Sequence, residues 1–254
     1  FRAAADSNAD GTIAIGNDAL MSNTTGAGNT AIGYGALKEN VDGVRNMAIG
    51  YGAMDAQQAG GTQTTSDGSS DNIFLGYDSG GGSWANSACA YNVAIGNYTL
   101  DGVLAGASYN TAVGHNSLSG ITSATNNTAV GTLTGYAITL GSKNSFFGQN
   151  AGAALIGGDE NIAIGNAAMD AMAGDTDTDH VNNGHRNVAI GADAMGAVNA
   201  GSDNAATTND NIAIGNDALL GGAFSNDEAL KGNIAIGSQA LDATSNNAHT
   251  GTIA

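Results

Sequence analysis

Asn29-Thr30-Ala31-Ile32-Gly33-Tyr34-Gly35-Ala36-Leu37 decides the fold, because it recurs. Asn211-Ile212-Ala213-Ile214-Gly215-Asn216-Asp217-Ala218-Leu219 is a second clear copy. Twelve copies follow one another, with central glycines at Gly16, Gly33, Gly50, Gly76, Gly96, Gly114, Gly131, Gly148, Gly165, Gly191, Gly215 and Gly237. The intervals are 17, 17, 26, 20, 18, 17, 17, 17, 26, 24 and 22 residues, so the base period is 17 and the longer intervals carry insertions. Asn stands four residues before Gly in every copy but the first, where Thr12 takes its place. Ala stands two before Gly except at Phe74 and Phe146. Four after Gly the residue is Leu or Met, except at Gly80, Gly135 and Gly152.

A 17-residue unit is too short for a helical repeat, and its composition opposes helix. The chain of 254 residues holds 40 Gly and no Pro, with 30 Asn and 20 Asp against three each of Glu, Lys and Arg. Gly and Asn are poor in helix interiors and good in turns. The unit fits one coil of a parallel β-solenoid: a strand of about five residues, a turn, a second short strand and a return loop. The fold class is therefore all-β, a solenoid of about twelve coils over residues 11–254, preceded by a lead-in at 1–10 from a longer chain. Stacking aligns identical residues into ladders, among them Asn29, Asn46 and Asn161, Ile32, Ile49 and Ile164, and Gly33, Gly50 and Gly165. Asn at a bend can bridge to the next coil, and Gly supplies positive φ or close approach. Alternation puts Ile on one face of the strand and Ala with Gly on the other. Ile and Leu are the residues available for a thin core, and the smooth Ala/Gly face is the one a neighbouring chain would cover; the sequence leaves open which face points inward.

Charge narrows the partners. The formal net charge is −17 at pH 7. Nucleic acid and anionic membranes need Lys and Arg to displace counterions, so both are excluded as partners. No run of about 18 apolar residues is present to insert in a membrane. One cysteine, Cys89, cannot form an intrachain disulfide framework and reads as a small buried filler.

The repeated Asn-x-Ala-Ile-Gly-x-x-Ala-Leu, with connecting text such as Ser22-Asn23-Thr24-Thr25-Gly26, resembles the head repeats of trimeric autotransporter adhesins. It is still more similar to the 17-residue variant of phage tail fibres and related bacterial surface proteins. The resemblance implies a left-handed β-roll, a side-by-side homotrimer, an extracellular or virion setting, and attachment to a host-surface glycan or receptor. The departures are the 17-residue period, where adhesin heads repeat at about 14, and the lack of the neck, stalk, anchor or chaperone-protease domain of those proteins.

Insertions at 55–71, 78–91, 170–186, 196–210 and 220–232 should emerge on one rim, where solenoids often bind. Tyr34, Tyr51 and Tyr77 each follow the central Gly in successive copies and should stack as a ladder, with Trp84 and Tyr91 in the next insertion. These five are the candidate platform for sugar rings, against the alternative that they shield the rod or a seam between chains. Asp175, Asp177 and Asp179 alternate in a polar loop and are the candidate Ca²⁺ ligands; no other cofactor is expected. The loop does not match an EF-hand, and a solvated loop is its competing reading. Most Asp sit in turns such as Asn17-Asp18, and no nucleophile elbow or Walker loop is present, so no enzyme is expected. The functional expectation is a structural and adhesive fibre segment. Its rivals are a purely architectural filament and a polysaccharide depolymerase with paired carboxylates. An ordered-surface binder is disfavoured, since only Thr30, Thr111 and Thr128 would build its Thr ladder.

Overall fold

The computed structural model describes residues 10–55, 68–84, 87–172, 184–196, 208–221, 230–242, 249–251 and 253–254. The chain is all-β, and its parallel strands stack as a β-solenoid. It divides into two compact units, Phe1–Asn126 and Asn127–Ala254. In the first, six three-residue strands stack in chain order: β1 (Ile13–Ile15), β2 (Thr30–Ile32), β3 (Met47–Ile49), β4 (Ile73–Leu75), β5 (Val93–Ile95) and β6 (Thr111–Val113). In the second, β7 (Thr128–Val130), β8 (Ser145–Phe147), β9 (Ile162–Ile164) and β10 (Val188–Ile190) stack likewise. There β11 (Thr208–Asn209) precedes β12 (Ile212–Ile214), β13 (Leu230–Lys231) precedes β14 (Ile234–Ile236), and β15 is His249–Thr250. Strands β11, β13 and β15 form a separate three-stranded ladder.

Register within each unit is strict. Ala31 pairs with Ala48 and Ile32 with Ile49 across β2 and β3, and Ala163 pairs with Ala189 and Ile164 with Ile190 across β9 and β10. Each motif strand is three residues long, shorter than the five expected, because the central Gly turns the chain immediately afterwards. Gly33 has φ of 136° and Gly165 of 138°. A Cβ on Gly33 would strike the carbonyl of Gly50, and one on Gly165 the carbonyl of Gly191, so both conformation and space demand glycine here.

The alternation expected from sequence holds, and the Ile side that was available for the core faces outward. Ala31, Ala48, Ala163 and Ala189 are fully buried, whereas Ile15, Ile49, Ile95, Ile164 and Ile236 are 37–59% exposed. The interior is lined by Ala from the strand, Leu or Met from four residues after Gly, and Asn from the return loop. The reason is room. A coil of 17 residues encloses one layer of side chains, and the Leu of the far wall already reaches across it. Leu20, Leu37, Leu100 and Leu118 all have φ near 50°, a conformation that costs an L-residue about 1–2 kcal/mol. Burying a Leu side chain returns about 1.5–3 kcal/mol.

Phe74 and Phe146 show the same limit from the other side. Both are fully buried at the Ala position. A Cβ on Gly80 would press into the Phe74 ring, and one on Gly152 would lie 2.8 Å from Cζ of Phe146. Where the strand supplies a ring, the facing position surrenders its Leu.

The buried Asn column closes each coil and ties it to the next. In the first unit Asn72 donates from its backbone N–H and its Nδ2 to Oδ1 of Asn46, at 3.1 and 3.0 Å. The same Nδ2 donates to the Cys89 carbonyl at 2.9 Å across the coil. In the second unit Asn161 donates in both ways to Oδ1 of Asn144, at 2.9 and 3.0 Å. Asn144 in turn spans its coil to the Gly158 carbonyl at 2.8 Å. Buried amides are costly unless bonded, and this geometry uses both the acceptor and the donors of each one.

Candidate interaction surfaces

The sheet turns outward the Ile residues that the sequence offers for a core. Along each unit, the residues one and three before Gly form two neighbouring columns facing away from the core. In the first unit these include Ile13, Ile15, Met47, Ile49 and Ile95, all more than a third exposed. In the second they include Phe147, Ile162, Ile164 and Ile236. Single exposed apolar residues are ordinary, but an in-register aliphatic stripe on a flat sheet face is the kind of patch that marks an interface. The Ala/Gly face expected to meet a neighbouring chain is buried within the chain itself.

Tyr34, Tyr51 and Tyr77 stack as the period implies. The first two rings are 4.9 Å apart and 14° from parallel, the next pair 5.4 Å and 11°. The sequence reading missed that the row continues: Tyr98 meets Tyr77 edge-on at 5.3 Å, and His115 meets Tyr98 at 5.8 Å. Trp84 does not join them. It is 1% exposed, packs on Phe74 at 5.7 Å and donates from Nε1 to the Gly80 carbonyl at 2.9 Å. It is a core residue: Phe74 fills the room that Gly80 leaves, and Trp84 packs against that ring. Tyr91 instead stacks on Tyr109, 4.9 Å away and 13° from parallel.

Stacking decides what these rings offer. A sugar packs against an aromatic face, and stacking covers faces: both faces of Tyr51 are covered by Tyr34 and Tyr77, whereas Tyr34, Tyr91 and Tyr109 each have one face covered by a stacked neighbour. Tyr34, Tyr51, Tyr77, Tyr91 and Tyr109 are all between 42% and 57% exposed.

Tyr91 and Tyr109 belong to a column the sequence reading overlooked, five residues before each Gly, where every non-Gly residue has φ near 60°. Successive members of this column pair chemically. Arg45 binds Asp71 through both oxygens, Nε to Oδ1 at 2.6 Å and Nη2 to Oδ2 at 2.7 Å. Lys143 meets Glu160 at 3.0 Å, and Arg186 grips Asp210 at 2.6 and 3.1 Å. These pairs lower the Asp71, Glu160 and Asp210 carboxyls, chiefly through the hydrogen bond from each basic partner. The signal was in the sequence: three of its six basic residues fall at this position.

A second acidic feature lies in the first unit. Desolvation, followed by repulsion from Asp78 and Asp55, pushes the Asp101 carboxyl up to about 6. Cys89 is fully buried, and that burial raises its thiol to about 11, so it is the inert filler the sequence suggested. Asp175, Asp177 and Asp179 lie outside the described residues. Among the described residues no group of three His, Cys, Asp or Glu side chains could hold a metal ion. No helix among them is long and apolar enough to cross a membrane.

Searches against family models, curated proteins and solved structures gave no match.

Proposed function

We propose that this chain is the shaft of an extracellular attachment fibre, in which three copies pack side by side through the outward Ile face and hold variable loops around the rim. The observation that carries the reading is the in-register aliphatic stripe, exposed on a chain whose interior is already filled. A flat stripe of Ile, Val and Thr on a regular sheet is self-complementary, and covering it with further copies removes it from water. The role is mechanical and adhesive. Three parallel copies present each rim insertion three times, so weak contacts with a host glycan or receptor add through high effective concentration.

Because both faces of Tyr51 are covered, the proposed recognition shifts from the Tyr34–Tyr51–Tyr77 stack to the insertions, of which 170–186 is the most acidic. The depolymerase alternative would rest on Asp101 as proton donor beside Asp78 and Asp55. It predicts product release from host polysaccharide that Asp101→Asn abolishes.

The test is native mass by light scattering at several concentrations, on the wild type and on an Ile49→Asp/Ile164→Asp variant. A concentration-independent mass of three chains that falls to one in the variant, with the circular dichroism spectrum unchanged, is the expected result. A wild-type monomer would end the trimeric-shaft proposal. Loss of glycan-array or host-cell binding on deleting 173–183, with the trimer intact, tests the adhesive half separately.

A further inference from the structure

We propose that Tyr34–Tyr51 and Tyr91–Tyr109 are sites of oxidative dityrosine cross-linking, which place covalent rungs between neighbouring coils of the same chain. Three observations meet at these pairs. The solenoid register sets Tyr51 directly over Tyr34, and Tyr109 over Tyr91, with each pair of rings 4.9 Å apart. The partners lie 17 and 18 residues apart in the chain, one coil in each case. All four residues are about half exposed, at 48%, 52%, 51% and 57%. The ring edge carries both the phenol oxygen and the ortho carbons, the atoms the reaction needs.

The oxidant is a one-electron oxidant of the haem peroxidase class, turning over hydrogen peroxide. Each phenol loses one electron and its O–H proton to become a phenoxyl radical. Two such radicals form a carbon–carbon bond through one ortho carbon of each ring. The two ortho hydrogens then move to the oxygens and restore both phenols. Per rung, two tyrosines lose two electrons and two protons, and one peroxide takes them up to give two waters. Parallel register makes the nearest second radical a neighbour in the same chain.

Tyr136 supplies the internal control. It is 46% exposed, and no aromatic ring among the described residues stacks on it. A reaction governed by exposure alone would use it as readily as Tyr34.

The experiment treats the folded chain with peroxidase and hydrogen peroxide, follows dityrosine fluorescence, and maps linked peptides by mass spectrometry. The expected result is linkage of Tyr34 to Tyr51 and of Tyr91 to Tyr109 within single chains, with Tyr136 largely unjoined. Tyr51→Phe and Tyr109→Phe keep the stacked ring but remove the phenol, and should each abolish their own rung and spare the other. The same treatment in urea needs no variant to fold, and should scatter the links over all tyrosines. Absence of dityrosine from the folded chain, links to Tyr136 as frequent as those to Tyr34, or one pattern in both native and urea-unfolded chain would overturn the proposal.

Discussion

Phe146 and Gly152 test the account of the core most sharply. Phe146 is fully buried, and its Cζ would lie 2.8 Å from any Cβ on Gly152. Phe146→Ala removes a buried ring and should cost about 3–5 kcal/mol. Gly152→Leu alone forces a side chain into the ring and should cost about 1–3 kcal/mol or more through overpacking. Together they recreate the Ala-plus-Leu arrangement of Ala31 with Leu37, both fully buried. Gly152 has φ of 64°, against 51° for Leu37, so the backbone already suits a Leu. The Leu should recover about 1.5–3 kcal/mol of burial, less a residual strain for the left-handed residue. The double variant is therefore expected to be more stable than either single one, with a coupling of about 3 kcal/mol or more. Equilibrium urea unfolding followed by circular dichroism, on the wild type and the three variants, closes the cycle. Additive losses would refute the claim that the two positions share one space.

Further outcomes follow from the columns. Gly165→Ala should destabilise the second unit severely, because the new Cβ meets the Gly191 carbonyl; a thermal scan showing a shift no larger than that of a surface substitution would contradict the packing. Asn144→Ala strands the Asn161 backbone N–H and the Gly158 carbonyl, and leaves Asn161 Nδ2 with only its bond to the Gly184 carbonyl. At about 1–3 kcal/mol for each buried group left unbonded, it should cost more than loss of the exposed Lys143–Glu160 pair, measured by the same urea titration. Asp101 titrates near 6 in the fold and in the ordinary carboxylate range when unfolded. The folded chain therefore holds the extra proton between these values, and the contribution of Asp101 to stability is greatest below the ordinary carboxylate pKa and declines as pH rises through about 6. Asp101→Asn should remove that decline; a melting-temperature profile of unchanged slope from pH 4 to 7 would show that another group is responsible.

Much of this architecture is legible in the residues. The 17-residue period, the strict Gly and the Asn column follow from steric and hydrogen-bonding demands that repeat once per coil, and the Tyr34–Tyr51–Tyr77 stack follows from register alone. Trp84 was misplaced because it lies in an insertion, where the period gives no register to argue from. The Arg45–Asp71 and Arg186–Asp210 pairs were missed because partners 26 and 24 residues apart look unrelated until the insertions between them are set aside. Alternation along Thr30-Ala31-Ile32 identifies two faces without saying which is inside, and the usual preference for burying the larger side chain chose wrongly.

The sequence nevertheless held the means to choose correctly. Only Phe74 and Phe146 replace Ala two residues before Gly, and in both those copies the Leu position is Gly, at Gly80 and Gly152. A side chain facing solvent has no reason to track the size of one six residues later. Two side chains sharing a closed space must do so, since interiors tolerate neither overlap nor void. The exchange of Ala-plus-Leu for Phe-plus-Gly therefore assigns both positions to one interior and, by alternation, turns the Ile column outward. Gly135, with Ala129 in its own copy, is the exception that the exchange leaves unexplained. The identity of the residue before Gly varies among Ile, Val, Leu and Phe with no such compensation. That freedom is what an outward position allows, and its persistent apolarity is what an outward position on a solvated surface would not require. That persistent apolarity is the physical ground for the proposal that the stripe is covered by further copies of the same face.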